Sequence, residues 1–269
     1  MHRGKGILMG KMPHIHLDPG IGATAAILPG DPARVDVIAS YLTDVREEAF
    51  NREYKSITGS YRGKRILAIS TGMGGPSTAI CVEELADIGV TDMIRIGSCG
   101  ALQQHLSLGQ LVLCDKAVCD DGTSQTYTDY FRYASPEVKN RSCCTEQEIE
   151  YAKADPALLN ACEEAVKELG FAYDIGPARS HDALYLKRKP QLDEHYSEKG
   201  VYASDMETAA LFAVGAVRGI RTAGILNVVV EWKKDIKEGV ASYKDGADAA
   251  AQGEKNEILV ALEALYRMG

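Results

Sequence analysis

The stretch IRIGSCGA, residues 94–101, places an arginine in the middle of what otherwise has the pattern of a buried strand. The strand pattern then breaks at Gly-Ser-Cys-Gly. A cation is costly to bury without a partner, so Arg95 needs a negatively charged group beside it. The stretch predicts either a bound anion or a buried ion pair at the end of this strand.

Apolar runs that resemble strands alternate with segments of helical period on both sides of this stretch. ATAAILPGDP predicts a strand that ends at Pro29, and ARVDVIASYL predicts the helix that follows it. KRILAISTGMGGPS repeats the plan, with a strand over Ile66–Thr71 and a helix that begins at Pro76 and ends at Gly89. The alternation predicts an α/β fold with a mixed central β-sheet and helices on both faces.

The second half of the chain continues this alternation. Helices are expected over Pro156–Leu169 and from about Ala247 to Arg267, and a strand over Tyr173–Ala178. VYASDMETAALFAVGAVRGI predicts a strand and then a helix, and TAGILNVVVE predicts a further strand. A polar, tyrosine-rich excursion up to about Glu148 is expected to form a loop over a site.

Composition limits the class of protein. The chain has 269 residues, of which 45% are hydrophobic, and no linker-like segment divides it, so one domain is expected over 12–269. Residues 1–11 are expected to be a disordered extension, with Met12 as an alternative start. The net charge of -8 and a pI near 5.3 argue against nucleic-acid and membrane-surface partners, which need a basic face.

Cysteine usage and the absence of targeting segments favour a cytoplasmic protein. The seven cysteines are odd in number and show no C-x-x-C spacing, which is typical of reduced thiols rather than of a disulfide framework or a zinc site. The start of the chain is basic but lacks an apolar run of signal-peptide length, and no stretch has the length of a membrane span.

Three turns that contain glycine follow predicted strands, at residues 30–32, 72–75 and 97–100. Ligands of α/β sheets collect beyond the carboxyl ends of strands, where glycine lets backbone N–H groups approach an anion. Arg34 and Arg95 lie close to two of these turns, and together they predict a phosphate site. The spacing is not that of a P-loop or of a dinucleotide fingerprint. Each turn alone is more often an ordinary connection between a strand and a helix.

Four separated motifs carry a resemblance to a known family. PGDPARV, STGMGGPS, VEELADIGVTDMIRIGSCGA and SDMETAALF follow in that order over about two hundred residues. The chain thereby resembles the hexameric nucleoside phosphorylases, which include uridine phosphorylases and bacterial purine nucleoside phosphorylases. The resemblance implies phosphorolysis of ribonucleosides to free base and ribose 1-phosphate for salvage or catabolism. It also implies inorganic phosphate as co-substrate, no organic cofactor, and a hexamer built as a trimer of dimers.

The resemblance implies roles for residues around phosphate and ribose, and Arg95 and Glu207 would be catalytic. The implied phosphate-binding residues are Gly30, Arg34, Arg95, Ser98 and, reaching in from a neighbouring subunit, Arg52. The implied ribose-binding residues are Asp205, Met206, Glu207 and, across the subunit boundary, His14. Arginine suits phosphate because its planar fork pairs two oxygens at once. Without the resemblance, Glu207 would be interpreted as a favourable charge at a helix start.

The base pocket departs from both branches of the family. The implied base-binding residues are Cys99, Gly100, Leu184, Tyr185, Arg188 and Glu231. The places of the uracil-binding Gln-x-Arg pair hold Arg188 and Pro190, although a loop shift could bring Gln191 in. Glu231, beside Trp232, is interpreted either as a proton donor to the departing base or as the first solvated residue after its strand. A uridine phosphorylase-like activity is expected, with a purine nucleoside phosphorylase as the alternative.

Two further possibilities follow from the same motifs. Glu53 and Ser77 match positions that bind a monovalent cation in uridine phosphorylases, so they predict a potassium site or else a simple hydrogen-bonded pair. A nucleosidase of the same fold, which uses water, has no need for the phosphate arginines that this chain retains. A nucleoside- or phosphate-binding sensor without turnover remains the non-enzymatic alternative.

Overall fold

A computed structural model describes residues 10–129, 143–146, 149–235, 237 and 248–269. Most of the expected N-terminal extension and part of the tyrosine-rich excursion lie outside these residues. The strands are β1 (Ala25–Pro29), β2 (Thr43–Asn51), β3 (Tyr54–Tyr61), β4 (Lys64–Ile69), β5 (Asp92–Ala101), β6 (Leu111–Asp120), β7 (Cys143–Glu146), β8 (Ile149–Lys153), β9 (Tyr173–His181), β10 (Ala203–Asp205) and β11 (Arg221–Val230). The described α-helices are α1 (Pro32–Ala39), α2 (Gly75–Asp87), α3 (Gly122–Asp129), α4 (Pro156–Leu169), α5 (Lys189–Glu198), α6 (Thr208–Arg218) and α7 (Asp248–Arg267).

These strands form one mixed sheet in the order β2-β3-β4-β1-β5-β10-β9-β6-β8-β7. Strand β11 pairs with both β5 and β6, so β5, β10, β9, β6 and β11 close into a ring. Strands β1 and β5 are parallel, from Ala25 opposite Asp92 to Pro29 opposite Ile96. The turn that follows β1 at Gly30 therefore lies beside Gly97 of β5. Strand β5 continues to Ala101, so the expected turn at residues 97–100 is wrong: these residues extend the strand, because they pair with β11.

Helices cover both faces of the sheet, as the sequence predicts. Alternate residues of β1 point to opposite sides: Ala26 and Leu28 join one hydrophobic cluster, and Ala25 and Ile27 join the other. Helices α2 and α6 pack in the first cluster, whereas α1, α4 and α7 pack in the second. The expected α/β architecture is confirmed. Among the described helices, none is long and apolar enough to cross a membrane.

Local signals in the sequence fix the start of α1, which opens the site. The Asp31 side chain accepts a hydrogen bond from the Ala33 N–H at 2.8 Å, and Pro32 occupies the first turn of the helix. The Gly-Asp-Pro motif therefore ends β1, caps α1 and leaves the Gly30 backbone at the turn between them.

The structure adds elements that the sequence patterns did not predict. Strand β2 is mostly exposed, so it lacks the apolar alternation that marks a half-buried strand. Helix α5 has no fully buried residue, and its sequence was not predicted to be helical. The excursion expected to be an irregular loop contains α3 and β7, and β7 pairs antiparallel with β8, which follows the excursion and also pairs with β6. The expectation of irregular structure throughout that segment is wrong for these residues.

Candidate active site

A cavity of about 650 Å³ opens at the ends of β1, β5, β9 and β10. Its walls combine glycine-containing backbone segments, two arginines and four carboxylates with apolar residues. Its lining residues include Gly30, Arg34, Glu53, Gly72, Met73, Arg95, Gly97, Ser98, Cys99, Gly100, His181, Leu184, Lys189, Ser204, Asp205, Met206, Glu207, Val229 and Val230. All the residues predicted to bind phosphate from within one chain lie in this cavity, as do Asp205, Met206 and Glu207.

Arg34 and Ser98 meet at one end of the cavity. The Nη2 atom of Arg34 donates to the Ser98 hydroxyl at 3.4 Å, although the two residues are 64 positions apart in sequence. Gly30 lies beside them, and a Cβ atom added to it would come within 3.3 Å of the Gly72 carbonyl oxygen. The close packing of these two turns explains why a glycine suits position 30.

Two glutamates of helix α7 hold the Arg34 side chain in place. Glu254 and Glu257, three residues apart on one helix face, lie 3.1 Å and 3.2 Å from Arg34 nitrogens. Glu257 is fully buried and also accepts the Gly97 backbone N–H at 3.1 Å. Burial raises the pKa of Glu257 to about 7, against the opposing effect of Arg34. The helix thus positions both Arg34 and the Gly97 backbone of β5 in the cavity wall.

Arg95 lies buried between two carboxylates. Its Nε donates to Asp205 at 3.0 Å, and its Nη2 donates to Glu207 at 2.5 Å. Its Nη1 atom is buried without a hydrogen-bond partner among the described residues. Arg95 therefore forms a buried ion pair, one of the two sequence predictions, and its Nη1 keeps a donor for an anion. The neighbouring carboxylates raise the pKa of the Arg95 guanidinium despite its burial.

Asp205 and Glu207 are fixed by groups other than Arg95. Ser180 donates its hydroxyl to Asp205 at 2.6 Å, and the Thr208 hydroxyl donates to the same carboxylate at 2.5 Å. Glu207 accepts the Gly74 backbone N–H at 2.6 Å. Burial raises the pKa of Glu207, although Arg95 acts in the opposite direction. Each acid therefore has a defined position in the cavity wall.

Residues predicted to contact the base are only partly brought together. Cys99, Gly100 and Leu184 line the cavity. Tyr185 is 65% exposed, and Arg188 is exposed just before α5; neither lines the cavity. Glu231 is partly exposed, directly after the cavity-lining residues Val229 and Val230, and does not itself line the cavity.

Comparison with known proteins identifies the family of this chain. The model of the phosphorylase superfamily matches residues 24–265, which is most of the chain. The chain belongs to the phosphorylase superfamily. It is 36% identical to a uridine phosphorylase of Thermococcus kodakarensis over 90% of this chain and 85% of that protein. It is 34% identical to a guanosine phosphorylase of Halorubrum lacusprofundi over 96% of this chain and 99% of that protein.

A solved structure agrees with this family assignment. The uridine phosphorylase of Vibrio fischeri superposes with a TM-score of 0.82 at 37% sequence identity, covering 96% of this chain and 98% of that one. The expected family and fold class of this phosphorylase-superfamily chain are confirmed.

Two residues expected to serve a neighbouring subunit lie outside this chain's own cavity. His14 is held by Glu84, whose Oε1 lies 2.5 Å from the His14 Nδ1 and which also accepts the Ile15 N–H at 2.9 Å. Arg52 is exposed and adopts a left-handed backbone, with φ of 55°, in the turn between β2 and β3. Neither residue lines the cavity of its own chain.

Glu53 and Ser77, the predicted cation ligands of this superfamily member, form a direct contact. The Ser77 hydroxyl lies 2.8 Å from Glu53 Oε1 and also contacts the Thr71 carbonyl oxygen. This hydrogen bond helps to lower the pKa of Glu53, although burial opposes it. Both oxygens are suitable ligands for a hard cation, and in this arrangement they satisfy each other.

The sequence analysis missed several residues at the site. His181 ends β9, Lys189 begins α5, and both line the cavity. Glu257 supports Arg34 from a helix about two hundred residues later in the chain. No family motif includes these positions. For Glu257, the one hint in the sequence is an acidic residue among the apolar positions of a predicted helix.

Proposed function

We propose that this chain catalyses the phosphorolysis of ribonucleosides to free base and ribose 1-phosphate. The observation that carries the proposal is the position of Arg95. Its guanidinium contacts Asp205 and Glu207 in the same cavity that contains Arg34 and Ser98. An anion held by the arginines would therefore adjoin a sugar held by the carboxylates.

The reaction needs what these residues offer. A C1′–O bond to phosphate forms as the C1′–N bond breaks, and the bonding electron pair leaves with the base. Arg34, Arg95 and the Ser98 hydroxyl hold the phosphate beside C1′, because guanidinium groups pair phosphate oxygens and keep their charge. Glu207 accepts hydrogen bonds from the ribose 2′- and 3′-hydroxyls, and Asp205 and Met206 complete the sugar site. Fixed charges around both substrates supply positioning and electrostatic stabilisation of the transition state.

Uridine is the leading substrate, with a purine nucleoside second. Relatives named uridine phosphorylase at 30–36% identity support the first assignment. The guanosine phosphorylase of Halorubrum lacusprofundi, matched over 99% of its length, specifically favours the second. Cys99, Gly100 and Leu184 border the base in either case, while Tyr185, Arg188 and Glu231 would reach it only after a rearrangement of their loops.

Assembly as a hexamer, a trimer of dimers, belongs to the same proposal. Arg52 would reach the phosphate, and His14 the ribose 5′-hydroxyl, of an adjacent subunit. The position of both residues outside their own cavity supports this arrangement. A potassium ion held by Glu53 and Ser77, a cytoplasmic location and a role in nucleoside salvage remain predictions that accompany it.

A hydrolase and a non-catalytic sensor are the competing functions. A nucleosidase has no use for Arg34 and Arg95, and both arginines here are held in place by buried carboxylates. A sensor would bind nucleoside and phosphate without releasing base.

A panel assay separates these functions. Uridine, thymidine, inosine, guanosine and adenosine are each incubated with and without inorganic phosphate, and free base is measured. The proposal predicts base release that requires phosphate. Release at equal rates without phosphate would establish a hydrolase, and binding of nucleoside without any release would establish a sensor.

A further inference from the structure

Strand order across the cavity indicates where the base lies, given the proposed function. Neighbouring strands follow in the order β1, β5, β10 and β9. Gly30 directly follows β1 and Ser98 lies in the carboxyl-terminal half of β5, and both belong to the proposed phosphate site; Asp205 ends β10 in the proposed sugar site. The next strand, β9, lies about 5 Å beyond β10 on the side away from the phosphate site. The base, attached to C1′ opposite the phosphate, therefore faces the end of β9.

Two polar side chains occupy that end of the cavity. His181 is the last residue of β9 and is 4% exposed. Lys189 is the first residue of α5, and its side chain is 15% exposed. Both line the cavity, with Leu184 as the apolar residue between them in sequence. The residues expected to recognise the base, Arg188 and Glu231, do not line it.

A charge network fixes Lys189. Its ammonium group donates to Asp193 Oδ2 at 2.5 Å, one turn along α5. Arg179 contacts the other oxygen of Asp193 at 3.2 Å and contacts Asp120 at 2.6 Å. An ammonium group has three N–H donors, and the hydrogen bond to Asp193 uses one of them. Lys189 can therefore donate to a ligand without losing its carboxylate partner.

His181 is held as a neutral ring. Burial lowers the pKa of His181 to about 4, and the positive charges of Arg179 and Lys189 act in the same direction. A neutral imidazole has one N–H donor and one nitrogen lone pair. Lys189 already supplies N–H donors at this end of the cavity. We therefore expect the His181 lone pair to face the cavity, because a His181 N–H in that position would leave the ring N–H of a base without an acceptor.

We propose that His181 and Lys189 are specificity-determining residues that recognise the lactam edge of the base. The His181 lone pair accepts the ring N–H, and the Lys189 ammonium donates to the adjacent carbonyl oxygen. Uracil presents this edge as N3–H and O4, and hypoxanthine and guanine present it as N1–H and O6. The lactam edge lies at a different distance from the sugar in pyrimidines and in purines, and the flexible four-carbon side chain of Lys189 can reach both positions. Cytosine and adenine reverse both groups, so they leave both protein groups unpaired.

The test compares matched nucleosides in the presence of phosphate. We expect kcat/KM for uridine to exceed that for cytidine, and kcat/KM for inosine to exceed that for adenosine, each by about 10²-fold or more, because a site built for hydrogen bonding strongly rejects analogues that cannot form it. Equal kcat/KM values within either pair would overturn the inference and leave the proposed phosphorolysis intact. No phosphate-dependent release from any nucleoside would instead overturn the proposed function.

Substitutions assign the preference to these two residues. Lys189→Met should lower kcat/KM for uridine and inosine by about 10²-fold and bring the uridine/cytidine and inosine/adenosine ratios closer to one, since it removes a charge-assisted hydrogen bond to the base. Lys187→Met, at an exposed lysine two positions earlier, is the matched control and should leave both ratios unchanged. His181→Gln supplies an acceptor oxygen and should retain the preference, whereas His181→Leu should abolish it in protein that shows the wild-type circular dichroism spectrum. Unchanged ratios in Lys189→Met would overturn the assignment.

Discussion

Arg95 lies at the centre of the site because three constraints act on its side chain. Asp205 and Glu207 hold two of its nitrogens, and the Gly97 backbone leaves the space into which the guanidinium folds. A Cβ atom at position 97 would lie 2.7 Å from Arg95 Nη2 and 2.9 Å from its Cζ. The guanidinium is buried and paired, so it has little freedom to move away.

Gly97→Ala should therefore displace Arg95 and weaken phosphate use. We expect kcat/KM for phosphate to fall by about 10²-fold, because a displacement of about 1 Å at a reacting group has an effect of that size. Gly122→Ala is the matched control, since a Cβ there meets nothing closer than Asp182 Oδ2 at 3.9 Å. Steady-state kinetics at varied phosphate decide the point. A wild-type phosphate dependence in Gly97→Ala would show that the observed position of Arg95 is not the one used in turnover.

A second substitution, Glu207→Ala, tests the proposed sugar site. The substitution removes the carboxylate proposed to hold the ribose hydroxyls and leaves Arg95 with Asp205 as its partner. Phosphorolysis of every nucleoside should fall by at least about 10²-fold, because the lost contact is made to the sugar and not to the base. Glu198→Ala, at an exposed carboxylate, is the control. Unchanged turnover in Glu207→Ala would refute the assignment of the sugar site.

The sequence pointed to some of the cavity residues and not to others. Arg95 was marked by a charge inside an apolar strand, and Glu207 and Gly30 were marked by the family motifs. His181 and Lys189 carried no such signal, because their importance depends on β9 lying beside β10, a neighbour relation between strands that the sequence pattern does not contain. Sequence patterns therefore marked more of the cavity residues proposed to bind phosphate and sugar than of those proposed to recognise the base.

Elements with strong hydrophobic periodicity were predicted well. The expected bounds of α4, Pro156–Leu169, agree with the structure, where Asp155 caps the helix and Gly170 ends it in a left-handed conformation. Strand β2 was missed because its side chains are mostly exposed and its stability depends on pairing with β3. The two strands form a hairpin at the edge of the sheet, and an exposed edge strand shows no apolar alternation, so the hydrophobic pattern does not predict it.

Helix α7 contributes a pH dependence through Glu257. Its pKa is raised from 4.5 to about 7 by burial, so the folded protein binds this proton more tightly than the unfolded chain. The stability from this group is fully present below pH 4.5 and is lost as the pH rises towards about 7. His181 acts in the opposite direction, because its lowered pKa costs stability as the pH falls from 6.5 towards about 4.

Glu257→Gln should therefore change the shape of the stability profile. The neutral amide removes the loss with rising pH, so the variant should gain up to about 3 kcal/mol relative to wild type between acidic and neutral pH. Glu164→Gln, at a carboxylate whose side chain is 57% exposed, provides the baseline. Urea unfolding over this pH range measures the difference. A difference between variant and wild type that does not depend on pH would contradict the raised pKa.

At the scale of the whole molecule, the proposal requires more than one chain. Arg52 and His14 lie outside their own cavity, and the proposal assigns them to the phosphate and ribose sites of a neighbour. Chains that carry Arg52→Ala and chains that carry Glu207→Ala should each have low activity. When the two are unfolded together and refolded as a mixture, some sites receive both wild-type residues.

The mixture should then recover activity well above the sum of its parts. Size-exclusion chromatography of the mixture provides the control that assembly has occurred, and each variant refolded alone provides the baseline rate. Recovery is expected only if Arg52 acts in the site of another subunit. No gain on mixing, in assembled protein, would show that Arg52 serves its own chain or no site at all.

The proposed reaction transfers ribose from the nucleoside base to inorganic phosphate. The most direct measurement follows uridine cleavage in the presence of inorganic phosphate and detects the sugar product by phosphorus NMR. We expect ribose 1-phosphate to form in equal amount to uracil, with no cleavage when phosphate is omitted. Free ribose in place of ribose 1-phosphate, at a rate independent of phosphate, would contradict it.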